Sequence, residues 1–500
     1  MVWRGIRRLG LLGFLPLLAA PQEPAVFQSG THLVEVEVVV RNQNGPVPGL
    51  TRDDFSLFDQ GRPQPIAIFH ARASDPPGPA PLPLGAVSNR TDSRGQPLNG
   101  ATVVLLDQLN TRIDLKGYER TQTVKLLRAL AASDRVALYA LGNNLHILQD
   151  FSDDPQKLID ALASLDKGRD LLPAFLGDDK GGVMIDYPDP NHIRTLDPIA
   201  DRAEKRAIAE MADTETAVSR GINHQITVEA LSRILRHLSG VPGRKNLVWL
   251  QEEPQVPPEV MGMLQLANVS LYPVLIRSVE YSNPDIFLLQ HAVERLGEST
   301  GGAGFVDAGD LTTAVRTAEE DSLTAYTLAF YPPAETLDGT FHRLTVRVMD
   351  KHLEVRYRPG YLALKTALPS RLPPDPDEFE NPLEMTGIGL TAQLVPGPGA
   401  AEVRRIRLTL DLHDVRLERQ NGRLKGTVKL SLLFPSTGSL RSWTLSVNLT
   451  DEQFAQALAN GYTLDLQDIG GQPRDLRVVV RDLATGATGS LRIPFTAAAP

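Results

Sequence analysis

The sequence predicts a multidomain protein of the α/β plus all-β class, a helix-covered sheet flanked along the chain by β-sandwich segments. Three observations predict it. The chain has 500 residues, too many for one hydrophobic core. From Ala101 to about Glu320, short apolar strands alternate with amphipathic helices, which is how a sheet sandwiched by helices reads. Before and after that stretch, apolar residues recur with period two in runs rich in β-branched side chains.

Composition supports a folded protein and narrows its chemistry. Hydrophobic residues make up 42% and charged residues 22%, ordinary globular values. A formal net charge of −9 argues against a nucleic-acid binder, which would carry a basic stripe. There are no cysteines, which rules out a thiol nucleophile, a Cys-based metal site, disulfide staples and lipid attachment at a Cys.

Taken in order, residues 1–25 read as a signal peptide. "MVWRGIRR" carries three arginines, and the short apolar run "LGLLGFLPLLAA" ends in small residues. The expectation is export to the periplasm or the extracellular space, with no transmembrane segment after cleavage. Residues 26–70 are a β segment. Val34, Val36, Val38 and Val40 alternate with polar residues, and "DFSLFDQGRPQPIAIF" reads as a hairpin with Phe55 and Leu57 on one arm and Ile66 and Ile68 on the other. Residues 71–98, rich in Pro, Gly and polar residues, read as a linker.

The α/β region is assigned to 99–321. "ATVVLLD" is a continuous apolar strand of the kind buried on both faces of a parallel sheet. "LKGYERTQTVKLLRALAA" is a helix, and "DRVALYAL" and "HILQDF" are strands. Asp154-Pro155 reads as the N-cap and first residue of a helix presenting Leu158, Leu162 and Leu165. Residues 168–199 look like an irregular insertion. A long helix then carries Ile222, Ile226, Ala230 and Ile234 at four-residue spacing and stops at Gly240. "KNLVWL" and "VSLYPVLI" are strands, "DIFLLQHAVERLGESTGG" and "LTTAVRTAEED" are helices, and "GFV" is a short strand. Residues 322–365 return to β. They and 26–70 are each too small to bury a sheet face alone, so together they could form one sandwich with the α/β region inserted in it. A second linker, 366–382, leads to a C-terminal β-sandwich at 383–500.

Most chemistry-bearing residues read as structural. Gly243-Arg244-Lys245-Asn246 is a tight turn with basic residues near a helix end, because no Gly-rich loop opens a helix there. "STGGAG" is a helix C-cap and turn. No His-Glu-x-x-His, Gly-x-Ser-x-Gly or paired His cluster occurs. Asp53-Asp54 and Asp153-Asp154 read as caps, and Trp249 and Tyr272 as core.

One stretch is different. In "VVLLDQLNTR" a buried strand stops at Asp107 and turns through Asn110 and Thr111 into a helix. With "VPGLTRDDFSLFDQGRPQPI", "LQDFSDDPQKLIDAL", "PGRKNLVWL", "ANVSLYPV", "STGGAGF" and "DSLTAYTLAFYPP", it resembles the von Willebrand factor type A superfamily. More closely, the ordered set looks like the group described as acidobacterial von Willebrand factor A-related proteins, over residues 32 to 362. The resemblance implies a von Willebrand factor A-like doubly wound sheet whose ligands bind at the strand carboxyl ends. It also implies a metal-ion-dependent adhesion site of the pattern Asp-x-Ser-x-Ser, with a Thr and an Asp from later loops. Asp107 matches the first position and Thr111 the third ligand, while Leu109 replaces the middle Ser and has no ligating oxygen. Thr227 stands near the place of the later Thr, and Gln251, Glu252 and Glu253 replace the final Asp-Gly pair. The expected metal candidates are therefore Asp107, Thr111 and Glu252, in a degenerate site holding no cofactor or a weakly bound Mg²⁺ or Mn²⁺. The competing reading is that Asp107 caps the helix or binds loop amides.

The function expected is a secreted binding or adhesion-type protein, with no catalysis, acting on an unidentified protein or envelope ligand. Alternatives are an envelope assembly or structural factor, or a hydrolase using Asp107 and Glu252 as a carboxylate pair. Ligand contact is expected in loops around 108–113, 222–227 and 251–256.

Overall fold

The computed structural model describes residues 33–72, 82, 85–92, 95–130, 135–165, 220–252, 256–276, 286–306, 311–363, 378–396, 404–466 and 475–494. The stretch 1–25 read as a signal peptide, the 168–199 stretch read as an insertion and the first part of the stretch read as a second linker lie outside the described residues.

The α/β region holds a five-stranded sheet. Its elements are β1 (Ala101–Asp107), α1 (Ile113–Ala129), β2 (Val136–Leu141), β3 (Leu145–Ser152), α2 (Pro155–Ser164), α3 (described over 220–238), β4 (Lys245–Gln251), α4 (Pro258–Ala267), β5 (Val269–Leu275), α5 (Ile286–Glu298) and α6 (Leu311–Thr324). The order is β5-β4-β1-β2-β3. The first four strands are mutually parallel, and β3 runs antiparallel to β2 at the edge. Phe305, from "GFV", makes only an isolated parallel bridge to Val274 beyond β5.

β1, β2, β4 and β5 are buried along their whole lengths, which explains their continuous apolar sequence. Their side chains alternate between two cores. Val103, Leu105, Tyr139, Leu247, Trp249 and Leu271 face α3 and α4. Val104, Leu106, Leu138, Val248, Leu250 and Val274 face α1, α2 and α6. Asp154 caps α2 by accepting from the Gln156 and Lys157 amides, with Pro155 at the first helical position. α3 packs through Ala230, Leu231, Ile234, Leu235 and Leu238, whereas Ile222 is exposed. Gly240 follows the helix where a Cβ would lie 1.7 Å from the Thr386 carbonyl oxygen, so only glycine fits there.

Strand pairing joins the two β stretches flanking this region. Val34–Asn42 lies between Tyr326–Phe330 and Glu354–Tyr357, and Ile68–Ala71 pairs with Tyr326–Phe330. A second sheet runs Gly360–Leu362, Phe341–Val348, Phe55–Asp59, Arg62–Gln64. The valines at 34, 36, 38 and 40 meet Phe55, Leu57, Leu344 and Val346 in the core between the sheets. The hairpin differs from its sequence reading. Gln60 and Gly61, at φ 49° and 77°, turn the chain after Asp59, and Arg62–Gln64 forms the return arm. Pro65 has no amide to extend that ladder, and Ile68–Ala71 joins the other sheet instead.

Two further corrections concern the C-terminal region. The 71–98 stretch read as a linker holds Ala86–Ser88, which is the edge strand of the sheet 462–466, 404–410, 390–396, 86–88. Asn89 then donates to the Met385 and Ile388 carbonyls at 2.8 Å each and accepts from the Leu390 amide. Its polar composition suits a segment that satisfies backbone groups of a neighbouring sheet. The region read as all-β also contains a helix, Asp451–Asn460, started by a capping box between Thr450 and Gln453. It packs over a core shared with strands 423–434, 475–482 and 488–494.

Candidate functional site

β1 delivers Asp107 to the carboxyl end of the parallel sheet, where its residue is 1% exposed. The chain then turns back over it. The Asn110 amide donates to Asp107 Oδ1 at 2.9 Å. The Asn110 side-chain Nδ2 lies 3.1 Å from Oδ1 and 3.0 Å from Oδ2. The same nitrogen reaches Thr227 Oγ1 on α3 at 3.3 Å. Thr227 is free to accept there because its own proton goes to the Asn223 carbonyl at 2.8 Å. Burial pushes the Asp107 carboxyl above its usual range, and the Asn110 side chain and amide, with smaller help from Trp249, pull it back part of the way.

Beneath this loop is a group that sequence reading did not single out. Glu119 on α1 is fully buried, and burial together with the negative charge of Asp107 pushes its carboxyl up to about 8. It is held by the Gln108 side-chain amide, while its Oε1 has no hydrogen-bond partner. Lys116 donates to the Gln108 carbonyl at 2.7 Å, and burial lowers its pKa. The signal for Glu119 was in the helix phase. It falls on the buried stripe with Leu115, Gln122, Thr123, Leu126 and Leu127.

The three expected metal candidates are differently engaged. Asp107 is committed to Asn110. Glu252 at the end of β4 accepts from the Arg112 backbone amide at 2.9 Å, and its Oε1 pairs with Arg112 Nε at 3.1 Å. This places a carboxylate at the N-terminus of α1, where the helix dipole favours it. Thr111 is 5% exposed, and its Oγ1 is buried without a hydrogen-bond partner. Thr227 is brought to Asp107 through Asn110. As for the expected contact loops, 222–227 lies within α3, and Glu253, Pro254 and Gln255 lie outside the described residues.

A divalent ion does not fit this donor set as it stands. Mg²⁺ needs oxygens at about 2.0–2.1 Å in near-octahedral array. Both Asp107 oxygens already accept from an amide group, and both Glu252 oxygens are taken by Arg112. Among the described residues, no group of three or more His, Asp or Glu side chains is placed to hold a metal. The basic turn at Gly243–Asn246 is also accounted for. Arg244 is a buried cation donating to Tyr272 Oη at 3.0 Å and the Gly301 carbonyl at 2.6 Å, a structural contact and not a helix-end charge.

No family model matches the chain, and no curated protein does. Among solved structures it is similar to proximal thread matrix protein 1 from the mussel byssus, at 9% identity and a TM-score of 0.24, covering 46% of this chain and 48% of that one. The chain thus spans about half the length of that protein. It is also similar to the vWF domain of the type V pili tip protein Mfa5 from Porphyromonas gingivalis, at 8% identity and a TM-score of 0.25, covering 44% of this chain and 94% of that one. A third similar structure is a von Willebrand factor type A protein from Catenulispora acidiphila, at 9% identity and a TM-score of 0.23, covering 85% of this chain and 75% of that one. Von Willebrand factor type A domains are therefore among the solved structures that this chain resembles.

Proposed function

We propose that the chain is an exported, adhesion-type binding module. In this reading, a von Willebrand factor A-like, doubly wound sheet presents its carboxyl-end rim to a protein or envelope ligand. The finer likeness to the acidobacterial group belongs to the same reading and rests on the ordered sequence segments. The observation that carries the proposal is the state of the rim carboxylates. Asp107 lies under Asn110, and Glu252 is paired with an Arg112 whose side chain is 46% exposed. Nearby, His224 on α3 and Glu259 on α4 face each other at 3.9 Å, both more than half exposed. Such a surface offers charged and hydrogen-bonding groups to a partner. A hydrolase would need Asp107 and Glu252 open to substrate together, and each is held by a neighbour. Among the described residues no helix is long and apolar enough to cross a membrane.

The test is retention of a ligand from the native envelope fraction on immobilised full chain. The double variant Arg112→Glu, Glu252→Lys should lose at least about tenfold of that retention, since removing buried or partly buried charge contacts costs a binding partner on that order. Retention should also fall with salt, because rim charges are screened beyond about 10 Å at 0.1 M. Retention by the double variant equal to that of the unaltered chain would place the binding surface elsewhere.

A further inference from the structure

We infer that the outward face of the sandwich sheet 360–362, 341–348, 55–59, 62–64 docks on an anionic lipid surface. The inference goes beyond the rim reading, concerns a different face, and does not depend on what the rim binds.

Side chains on strand 341–348 alternate between two faces. His342, Leu344 and Val346 are buried on the inner side, so Phe341, Arg343, Thr345 and Arg347 point outward. The ladder runs on to Met349, whose amide donates to the Asp54 carbonyl at 3.0 Å, and Met349 keeps the outward side. Leu362 stands opposite Phe341, and Phe58 opposite Thr345. Phe341, Leu362 and Met349 are 45%, 48% and 74% exposed, whereas a sheet face meeting only water carries polar side chains. Between these apolar tips the face is cationic. Arg347 lies over the Phe58 ring at 5.0 Å, and among the described residues neither Arg343 nor Arg347 has a carboxylate partner. No acid occupies an outward position on the four strands. Asp54 and Asp350, just past the strand ends, accept from Thr51 and from the His352 amide. The opposite sheet turns its own outward side to α6, through Arg41 and Arg356 on Asp321, so the arginine face lies on the far side of the sandwich.

A lipid surface fits this face better than a protein does. Phe341 and Met349 stand roughly 27 Å apart along the strand. Over that span a protein partner would have to match apolar pockets and carboxylates to each tip in turn. A bilayer offers phosphates and acyl chains at every point, and the guanidinium fork suits phosphate oxygens. Phe, Leu and Met can enter the acyl boundary while the arginines beside them reach head groups. A second copy packed face to face would bring the arginines of both chains together with no acid between them. The net charge of −9 does not oppose docking. Screening over about 8 Å at physiological ionic strength confines the attraction to charges on the docked face.

The absence of cysteine makes a local test possible, because Ser56→Cys gives the full chain a single thiol on this face. That thiol is labelled with a nitrobenzoxadiazole dye, which brightens and shifts to the blue on entering a bilayer. Thr444→Cys, on the exposed start of strand 439–449, carries the control label. Vesicles of phosphatidylglycerol and phosphatidylcholine in equal parts should brighten the label at position 56 and leave that at 444 unchanged. Phosphatidylcholine vesicles alone should have little effect on either. Adding Arg343→Gln and Arg347→Gln should raise the lipid concentration at half response by on the order of twentyfold, about fivefold for each charge. Arg343→Lys with Arg347→Lys keeps the charges, so most of the response should remain, which separates lost attraction from lost folding. Phe341→Ser with Met349→Ser should also weaken the response, by on the order of tenfold. A label at 56 that stays silent on anionic vesicles would overturn the inference, as would an equal response from a folded Arg343→Gln, Arg347→Gln chain. A label that answers to polyglutamate and not to vesicles would assign the face to an acidic protein instead. None of these readings needs a rim ligand, so failure of the binding-module proposal leaves the result interpretable.

Discussion

Asp107 was legible as the end of a buried strand, and its two readings, metal ligand and acceptor for loop amides, were both open from sequence. The structure gives it loop amides. What the sequence could not reveal is the direction of the Asn110 side chain, which depends on where α3 brings Thr227, a residue 117 positions away. Glu119 was hidden for a different reason. An acid in a helix reads as solvated by default, and only its phase relative to Leu115 and Leu126 marks it as buried. These neighbours make Asp107 a local support. Asp107→Ala should destabilise the chain by about 1–3 kcal/mol, the cost of leaving the Asn110 donors without a charged acceptor. Urea unfolding would measure it. An unchanged midpoint would mean the loop is held by its packing alone.

At the scale of elements, strands with continuous apolar sequence were easiest to read. "ATVVLLD" is β1 residue for residue, and "KNLVWL" lacks only Gln251 of β4. Misreadings arose where local composition and tertiary role diverge. Ala86–Ser88 is a strand only because strand 390–396 lies beside it. Ile222 keeps the helical spacing of α3 and is still exposed, so the buried stripe begins later in that helix. The 451–460 helix was missed although its start is written in the sequence. Thr450-x-x-Gln453 is a capping box, with the Gln453 amide donating to Thr450 Oγ1 at 3.2 Å and the Gln453 side chain accepting from the Thr450 amide at 3.0 Å. Period-two strands on both sides drew attention from it. Thr450→Ala should cost about 1 kcal/mol. The loss should appear as a lower urea midpoint with an unchanged m-value, and a change in m would instead point to a rearranged native state.

At the scale of the whole molecule, buried polar groups join elements that the sequence presents as separate. Asp321 on α6 accepts from Tyr272 Oη at 2.8 Å and pairs with Arg41 at 2.5 Å and Arg356 at 3.2 Å, both from the sandwich strands. No pattern in the sequence announces such pairings, since the partners lie up to 280 residues apart. A second junction lies at the end of α3. The His237 and Arg236 carbonyls accept from the Thr386 hydroxyl and amide, at 2.5 and 3.4 Å, so a passing segment of the C-terminal region satisfies helix-end carbonyls. The His237 ring stacks on Phe151, its Nδ1 lies 2.7 Å from the Glu384 carbonyl, and its Nε2 faces Asp150 at 3.5 Å. Burial alone would lower the pKa of this imidazole. The nearby Asp150 charge, then the Glu384 carbonyl and carboxylate, outweigh burial and raise it. The folded state therefore binds the proton more tightly than the unfolded chain, whose His titrates near about 6.5. The stabilisation is fully present below that value and is lost as pH rises through the raised folded pKa. The unaltered chain should accordingly lose stability relative to His237→Gln between about pH 6 and the upper end of that window, by an amount on the order of 1–2 kcal/mol set by one charge-assisted contact. Paired urea titrations at pH 5.5 and pH 9 would measure the narrowing gap. A gap of constant size would mean that His237 acts at this junction through its shape and stacking, with no contribution from its charge.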